Sequence, residues 1–367
     1  MRIVFDHQIF QTQTYGGISR YVVEVASRLV QMPGNQVRIA AGLHCNRHLT
    51  DQAQELCIGR YMAAATRSQR VRRYANKAFS YFALRALSPQ VVHETYYSPT
   101  AIAPKGVPAV VTVHDMIHEL MPQHFPANSL DAVWKRRAVD RADAIVCVSE
   151  NTRRDLLELL PDECAGKPIT VIHHGFSKPV FTADDEMAAA KLTLGKPFIL
   201  YIGTRVAYKN FGTLLKAFAN LGKEKQDLNL VAFGGGALSA SEQAEVSAFG
   251  LNGRVIQFGG NDGLLAALFN SAQAFIYPSL YEGFGMPILE AFAANCPVIC
   301  SDILVSREIA SNAAIYFDGD SAEDLANCIS NVSTISKMTM INASKRLCIF
   351  DWNKSSALHA ELYSSLL

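Results

Sequence analysis

The chain has 367 residues, 49% of them hydrophobic, with 34 basic against 33 acidic side chains; that length suggests two domains, and so much apolar material excludes disordered and low-complexity classes. Residues 1–176 carry 20 Lys and Arg against 15 Asp and Glu, a balance of +5, while residues 177–367 carry 14 against 18, a balance of −4. Without an interleaved basic and aromatic signature, that asymmetry is too weak to argue for nucleic acid.

The opening MRIVFDH reaches Asp6 after three apolar residues, which reads as a buried strand and not as the apolar stretch of a secretory leader. Eight cysteines scattered along such a chain predict reduced thiols and a cytoplasmic location. Short β-branched runs (RIVFDH, QVRIAAG, VVHET, PAVVTVHD, AIVCVS, TVIHHG) then alternate with amphipathic stretches over residues 19–30, 129–141 and 151–160. That strand–helix rhythm predicts an α/β domain with a doubly wound parallel sheet over residues 1–176.

After a loop at 177–197 the rhythm restarts with FILYIG, LNLVAFG, RVIQFG, AFIYPS, PVICS and AIYFD, predicting a second Rossmann-like domain over 177–350. Residues 263–281 lack charge but are interrupted by Asn270, Ser271, Gln273 and Pro278, so they read as a helix and a buried strand rather than a membrane span. In residues 351–367, Trp352, Leu358, Leu362 and Leu366 recur at helical spacing, the pattern of a last helix packed on the body. Two tandem sheets predict a cleft, with ligands beyond the carboxyl ends of the strands.

Residues 66–88 wind as a helix with Val71, Tyr74, Ala75, Ala78 and Phe82 on one face and Arg70, Arg73 and Lys77 beside it. This is either an interfacial helix or one that covers its own sheet with a solvated basic flank.

Three segments carry chemistry. Gly16-Gly17 follow the first strand and precede a helix whose expected N-cap is Ser19, an arrangement that suits an anion. FILYIG ends at Gly203 and leads to Arg205 and Lys209, where a forked guanidinium and an ammonium suit a diphosphate. After AFIYPS comes Glu282-Gly283-Phe284-Gly285-Met286-Pro287-Ile288-Leu289-Glu290. Its glycines open a loop, Pro287 suits a first helical turn, and Glu282 and Glu290 frame one ligand. His173-His174 suggest a metal pair only superficially, since adjacent strand residues point to opposite faces, and no catalytic metal is expected.

Glu282 to Glu290 resembles the Glu-x7-Glu signature of retaining glycosyltransferases of family four with the GT-B fold, a resemblance covering nearly the whole chain. Arg205 with Lys209-Asn210 is similar to that family's diphosphate grip, and Gly16-Gly17 to its N-terminal phosphate loop. Asn295 departs from the pattern, standing where the family usually has Gly.

The resemblance implies a last helix returning to the first domain. It also implies ribose binding by Glu290, donor-sugar binding by Glu282, diphosphate binding by Arg205 and Lys209, and contact of His114-Asp115 with the transferred sugar. Gly203 and Phe284 to Pro287 would complete the donor site, with neither metal nor cofactor. The expected activity is transfer of a hexose from a nucleotide diphosphate sugar to a lipid-linked glycan in surface-polysaccharide assembly. YGGISRY and the VHD segment are similar to mannosyltransferases, favouring GDP-mannose over a UDP-hexose, with the base met around residues 254–261. A closing sugar-binding protein and a nucleotide-sugar epimerase are the rival readings.

Overall fold

The computed structural model describes residues 1–63, 69–178, 180–222, 225–334 and 337–367. The chain divides into two compact units, Met1–Gly175 together with Phe350–Leu367, and Phe176–Ile349. Each is an α/β unit built on one parallel sheet.

The first sheet contains β1 (Arg2–Phe5), β2 (Gln36–His44), β3 (Cys57–Tyr61), β4 (Val91–Glu94), β5 (Ala109–Val113), β6 (Ala144–Cys147) and β7 (Ile169–Val171). Their order is β3-β2-β1-β4-β5-β6-β7. The strands β4, β5 and β6 are buried along their whole length; β6 is accordingly an unbroken apolar run, whereas β5 admits Thr112 and β4 ends in His93 and Glu94. The direction of winding reverses between β1 and β4, where Ile3 pairs with Val91 and Phe5 with His93. The edge strand β3 was not among the expected strands; its half-buried and exposed residues give no alternation to read.

The second sheet contains β8 (Phe198–Ile202), β9 (Asn229–Phe233), β10 (Val255–Phe258), β11 (Ala274–Tyr277), β12 (Val298–Ser301) and β13 (Ile315–Phe317). In the order β10-β9-β8-β11-β12-β13, the winding reverses between β8 and β11. Ile199, Leu230, Ile276 and Ile299 on one face of it join Leu214, Phe218 and Leu325 of the covering helices in one core.

Several local expectations need correction. The stretch 177–197 is not all loop: Ala183–Leu192 is a helix, opened by a capping box in which Thr182 and Asp185 satisfy each other's backbone N–H groups. Its small, alanine-rich face gave little periodicity to detect. The Gly17–Leu29 helix starts two residues before Ser19, with Gly16 as its N-cap. The Ser19 hydroxyl donates back to Gly16 O, and its N–H is taken by Gln13 Oε1 at 3.2 Å.

The last helix, Trp352–Ser365, packs on the Gly17–Leu29 helix in the first unit, with half of the expected stripe on the buried face. Trp352, Ser355, Ser356, His359, Leu362 and Tyr363 are buried, whereas Leu358 and Leu366 are half-buried. Its start fits because Gly175 has no side chain: a Cβ there would lie 2.2 Å from Trp352 N.

On the Gln69–Leu87 helix the expected apolar face points outward, with Val71 53%, Tyr74 69% and Phe82 68% exposed. The inward positions are Arg72, Asn76, Ser80 and Leu84. Residues 66–68, and the side chains of Gln69 and Arg70, lie outside the described residues. Asn295, which replaces the family's usual glycine, adopts φ +54°, a left-handed conformation asparagine tolerates, and so preserves the turn after the Met286–Ala293 helix. Among the described residues no helix is long and apolar enough to cross a membrane, and all eight cysteines are free thiols.

Candidate active site

Parallel sheets present ligand-binding loops where the winding reverses, because the loops there diverge and leave room. In the second unit this places the loop after β8 beside the loop after β11. Three hydrogen bonds or ion pairs join them and their neighbour. Leu280 N–H donates to Tyr208 O at 2.8 Å, Lys209 Nζ to Glu282 Oε1 at 2.5 Å, and Asn210 Nδ2 to Gly319 O, beyond β13, at 2.8 Å. Gly203, Arg205, Lys209, Glu282, Phe284, Gly285, Met286, Pro287 and Glu290 all belong to this pair of loops and the helix that follows them.

The Lys209–Glu282 pair is mostly buried, with side chains 18% and 14% exposed. The Lys209 ammonium lies 5.4 Å from the Tyr208 ring and 5.8 Å from the Tyr277 ring. Burial, reinforced by the hydrogen-bonded Glu282 carboxylate, holds the Tyr277 phenol well above its usual range. The Met286–Ala293 helix begins directly after Gly285, which has φ +103°, with Pro287 in its first turn. Glu290 is half-buried one turn further on.

Arg205 is held by protein groups. Its Nε donates to Glu242 Oε1 at 2.7 Å, and its terminal nitrogens reach the carbonyls of Gly234, Gly235, Gly236 and Ala237 at 2.9 to 3.4 Å. That loop follows β9 and is possible only with glycine: Gly235 has φ +70°, and a Cβ on it would lie 2.5 Å from Gly203 O. Burial works against the charge of Glu242, but hydrogen bonds from Ser239 and Arg205 outweigh it and hold the carboxyl below the usual range.

The sequence reading missed Glu242, Tyr208, Tyr277 and the 234–236 glycines. The Gly-Gly-Gly run after an apolar strand, with Ser239-x-x-Glu242 behind it, was the available signal. Arg254, expected near the base, instead sits at the amino end of β10. It donates there to Lys225 O and Leu228 O and covers Phe218.

The first unit carries Gly16, Gly17, His114 and Asp115. Gly16 is the N-cap already described, with the Gln13 amide lying against it. His114 and Asp115 follow β5. The His114 ring is 8% exposed, edge-on to Tyr21 at 5.5 Å and stacked on His174 at 6.3 Å. Burial, opposed by Asp115 and assisted by Lys135, pushes its pKa down to about 4, so the imidazole is neutral at physiological pH. Burial disfavours ionised Asp115, but Lys135 Nζ at 3.6 Å and the Ile117 N–H at 3.1 Å lower its pKa overall.

Behind His114 runs a buried polar network. Tyr21 Oη contacts His359 Nε2 at 2.7 Å and Thr112 Oγ1 at 3.0 Å, and His93 bridges Thr112 and Tyr363 at 2.8 and 2.5 Å. His173 and His174 diverge: one ring lies 5.6 Å from Phe350, the other 4.7 Å from Tyr21. Among the described residues no three His, Cys, Asp or Glu side chains are grouped to hold a metal ion.

Residues 15–177 match the family described as Glycosyltransferase Family 4, and residues 183–345 the family described as Glycosyl transferases group 1. Among curated proteins, the chain is 24% identical over 261 residues to the serotype-specific mannosyltransferase WbdA of Escherichia coli, covering 66% of this chain and 32% of that protein. It is 28% identical over 240 residues to the O-antigen chain mannosyltransferase B of Escherichia coli, covering 63% of each. The matched stretch thus spans about a third of WbdA and under two-thirds of the second relative. Among solved structures, sucrose-phosphate synthase from Thermosynechococcus elongatus superposes with a TM-score of 0.75 at 18% identity, covering 100% of this chain and 98% of that one. The fold is GT-B.

Proposed function

The chain belongs to the family 4 glycosyltransferases, and on that footing we propose that it moves a hexose from a nucleotide diphosphate sugar to a growing surface glycan, with retention of anomeric configuration and without a metal. The observation that carries this reading is the Lys209–Glu282 pair at the reversal point of the second sheet, with Arg205 anchored one turn away. A departing nucleotide diphosphate gains negative charge, and a fixed ammonium in a site of low dielectric stabilises that charge more than the ground state. Lys209 takes this role, Arg205 holds the 234–237 loop and adds positive potential, Glu282 orients the donor sugar, and Glu290 accepts from the ribose hydroxyls.

The neutral imidazole of His114 in the first unit offers a hydrogen bond to the transferred sugar without adding charge. Mannose from GDP-mannose is the proposed donor, supported by the mannosyltransferases among the relatives; a UDP-hexose is the alternative. The proposed acceptor is lipid-linked. Its approach from an anionic bilayer at the cytoplasmic face is supported by the exposed Val71, Tyr74 and Phe82 beside Arg73 and Lys77.

A thermal-shift screen of GDP, UDP and their hexose conjugates identifies the donor, followed by assay of nucleotide diphosphate release with and without a lipid-linked acceptor. Acceptor-dependent release supports transfer; conversion of the donor sugar without release would favour an epimerase.

A further inference from the structure

The inward stripe of the Gln69–Leu87 helix is Arg72, Asn76, Ser80 and Leu84, one residue per turn. Two of its polar members have protein partners. Asn76 accepts from Leu43 N–H at 2.7 Å and donates to Leu43 O and Gln11 Oε1 at 3.0 and 3.2 Å; Ser80 meets His7 Nδ1 at 2.6 Å. These bonds fix which face turns inward. Arg72, the next polar member outward, is only 7% exposed, yet among the described residues nothing gives it a hydrogen bond or ion pair. Its nitrogens are not among the buried polar atoms left without a partner, so the guanidinium keeps access to the open space beside it and can offer its fork to an anion there.

Arg72 borders a cavity of about 480 Å³ that also meets Arg73, Tyr97 and Trp134. An adjoining cavity of about 220 Å³ brings Lys77 and the exposed Tyr74 to the same place. Arg73 lies 5.8 Å from the Trp134 ring, a cation held over an aromatic face. Gln8 lines both cavities just past β1, and Tyr97 lies just past β4, so they open where the winding of the first sheet reverses. The carboxylate there, Asp131, already accepts from the Ser129 hydroxyl at 2.8 Å.

We propose that this cavity is a phosphate-ester subsite of the first unit: Arg72 and Arg73 clamp the phosphate or diphosphate of an amphiphilic ligand, and its apolar part leaves past Tyr74. Arginine forks match phosphate oxygens in pairs, and the larger volume is that of a small-ligand site. On the reading of the chain as a glycosyltransferase, the ligand is the acceptor, recognised by its phosphate as well as by its glycan.

The test is a calorimetric titration of farnesyl diphosphate into the wild-type chain and into Arg72→Gln, Arg73→Gln and Lys209→Gln. Arg72→Gln is expected to weaken the tighter binding at least tenfold and Arg73→Gln several-fold, while Lys209→Gln removes only the separate diphosphate contact proposed for the second unit and leaves the Arg72-dependent component unchanged. Inorganic pyrophosphate is expected to bind more weakly but with the same dependence on Arg72, and vesicles of phosphatidylglycerol with none.

Unchanged affinity in both arginine variants, a loss confined to Lys209→Gln, or vesicle binding that depends on Arg72 overturns the subsite. Sugar transfer plays no part in this titration. An absence of transfer with every donor would overturn the proposed function and leave the subsite standing, and a null titration with transfer intact does the reverse.

Discussion

Lys209 Nζ donates to Glu282 Oε1 at 2.5 Å and so joins the loops after β8 and β11 across the reversal point of the second sheet. The two residues are 73 positions apart in sequence, and each is mostly buried. If the proposed roles hold, the carboxylate assigned to the donor sugar also screens the ammonium assigned to the diphosphate, and the two should respond differently to mutation.

Lys209→Gln is expected to lower kcat roughly 10²- to 10³-fold, about 2.7–4 kcal/mol of transition-state stabilisation by comparison with the loss of one oxyanion donor. Glu282→Gln is expected to reduce transfer as well, yet to keep or modestly raise affinity for the free nucleotide diphosphate, since it releases the ammonium. Steady-state kinetics beside titration of the nucleotide checks both; weakened nucleotide binding in Glu282→Gln contradicts the assignment.

In the proposed role of Glu290, Glu290→Gln keeps the shape of the side chain but loses the charge-assisted bonds assigned to two ribose hydroxyls. Affinity for the nucleotide diphosphate should fall by about 1–3 kcal/mol. Calorimetry on this variant and on Glu282→Gln separates the two roles, and equal losses in both would refute the division between ribose and sugar.

Arg205→Ala removes a side chain that holds Glu242 and four carbonyls of the glycine loop. Those acceptors lose a charged donor at once, so the variant is expected to lose about 2–4 kcal/mol of stability together with activity. Glu242→Gln, which leaves the guanidinium on the carbonyls, should be milder. A thermal melt of both variants is the measurement, and an unchanged Tm in Arg205→Ala would mean that the arginine does not hold the loop.

The buried histidines predict sensitivity to acid. His114 and His359 are pushed down to about 4, and His93 and His174 well below their ordinary value, in each case chiefly by burial. In the unfolded chain each titrates near 6.5, so the unfolded state takes up protons first as pH falls. The stability they contribute is complete above about pH 6.5 and is lost on the way to about pH 4, at up to about 1.4 kcal/mol per pH unit for each ring. Melting curves from pH 7.5 to 4.5 should show a steep fall, and a flat profile down to pH 5 would contradict the neutral network.

Exhaustive chelation should leave transfer intact. In the proposed site, the charge of Lys209 and the field of Arg205 take the place of a bridging cation at the diphosphate. Loss of activity in EDTA, restored by magnesium or manganese, would reverse this reading.

The sequence by itself determined the two parallel sheets, because fully buried strands such as β6 and β11 are written as unbroken apolar runs. It also placed the Glu282 to Glu290 segment at a strand end, since the loop glycines and Pro287 are local signals for a turn and a helix start. What only the tertiary structure decided are the relationships that depend on long-range contact. The pairing of Lys209 with Glu282, the capture of Arg205 by Glu242, and the docking of His359 on Tyr21, 338 residues away, leave no trace in local periodicity. The inward turn of Arg72 reverses what its helix alone suggests: Asn76 and Ser80 found buried partners in Leu43 and His7, and those hydrogen bonds outweighed the apolar stripe of Val71, Tyr74 and Phe82 in choosing the face.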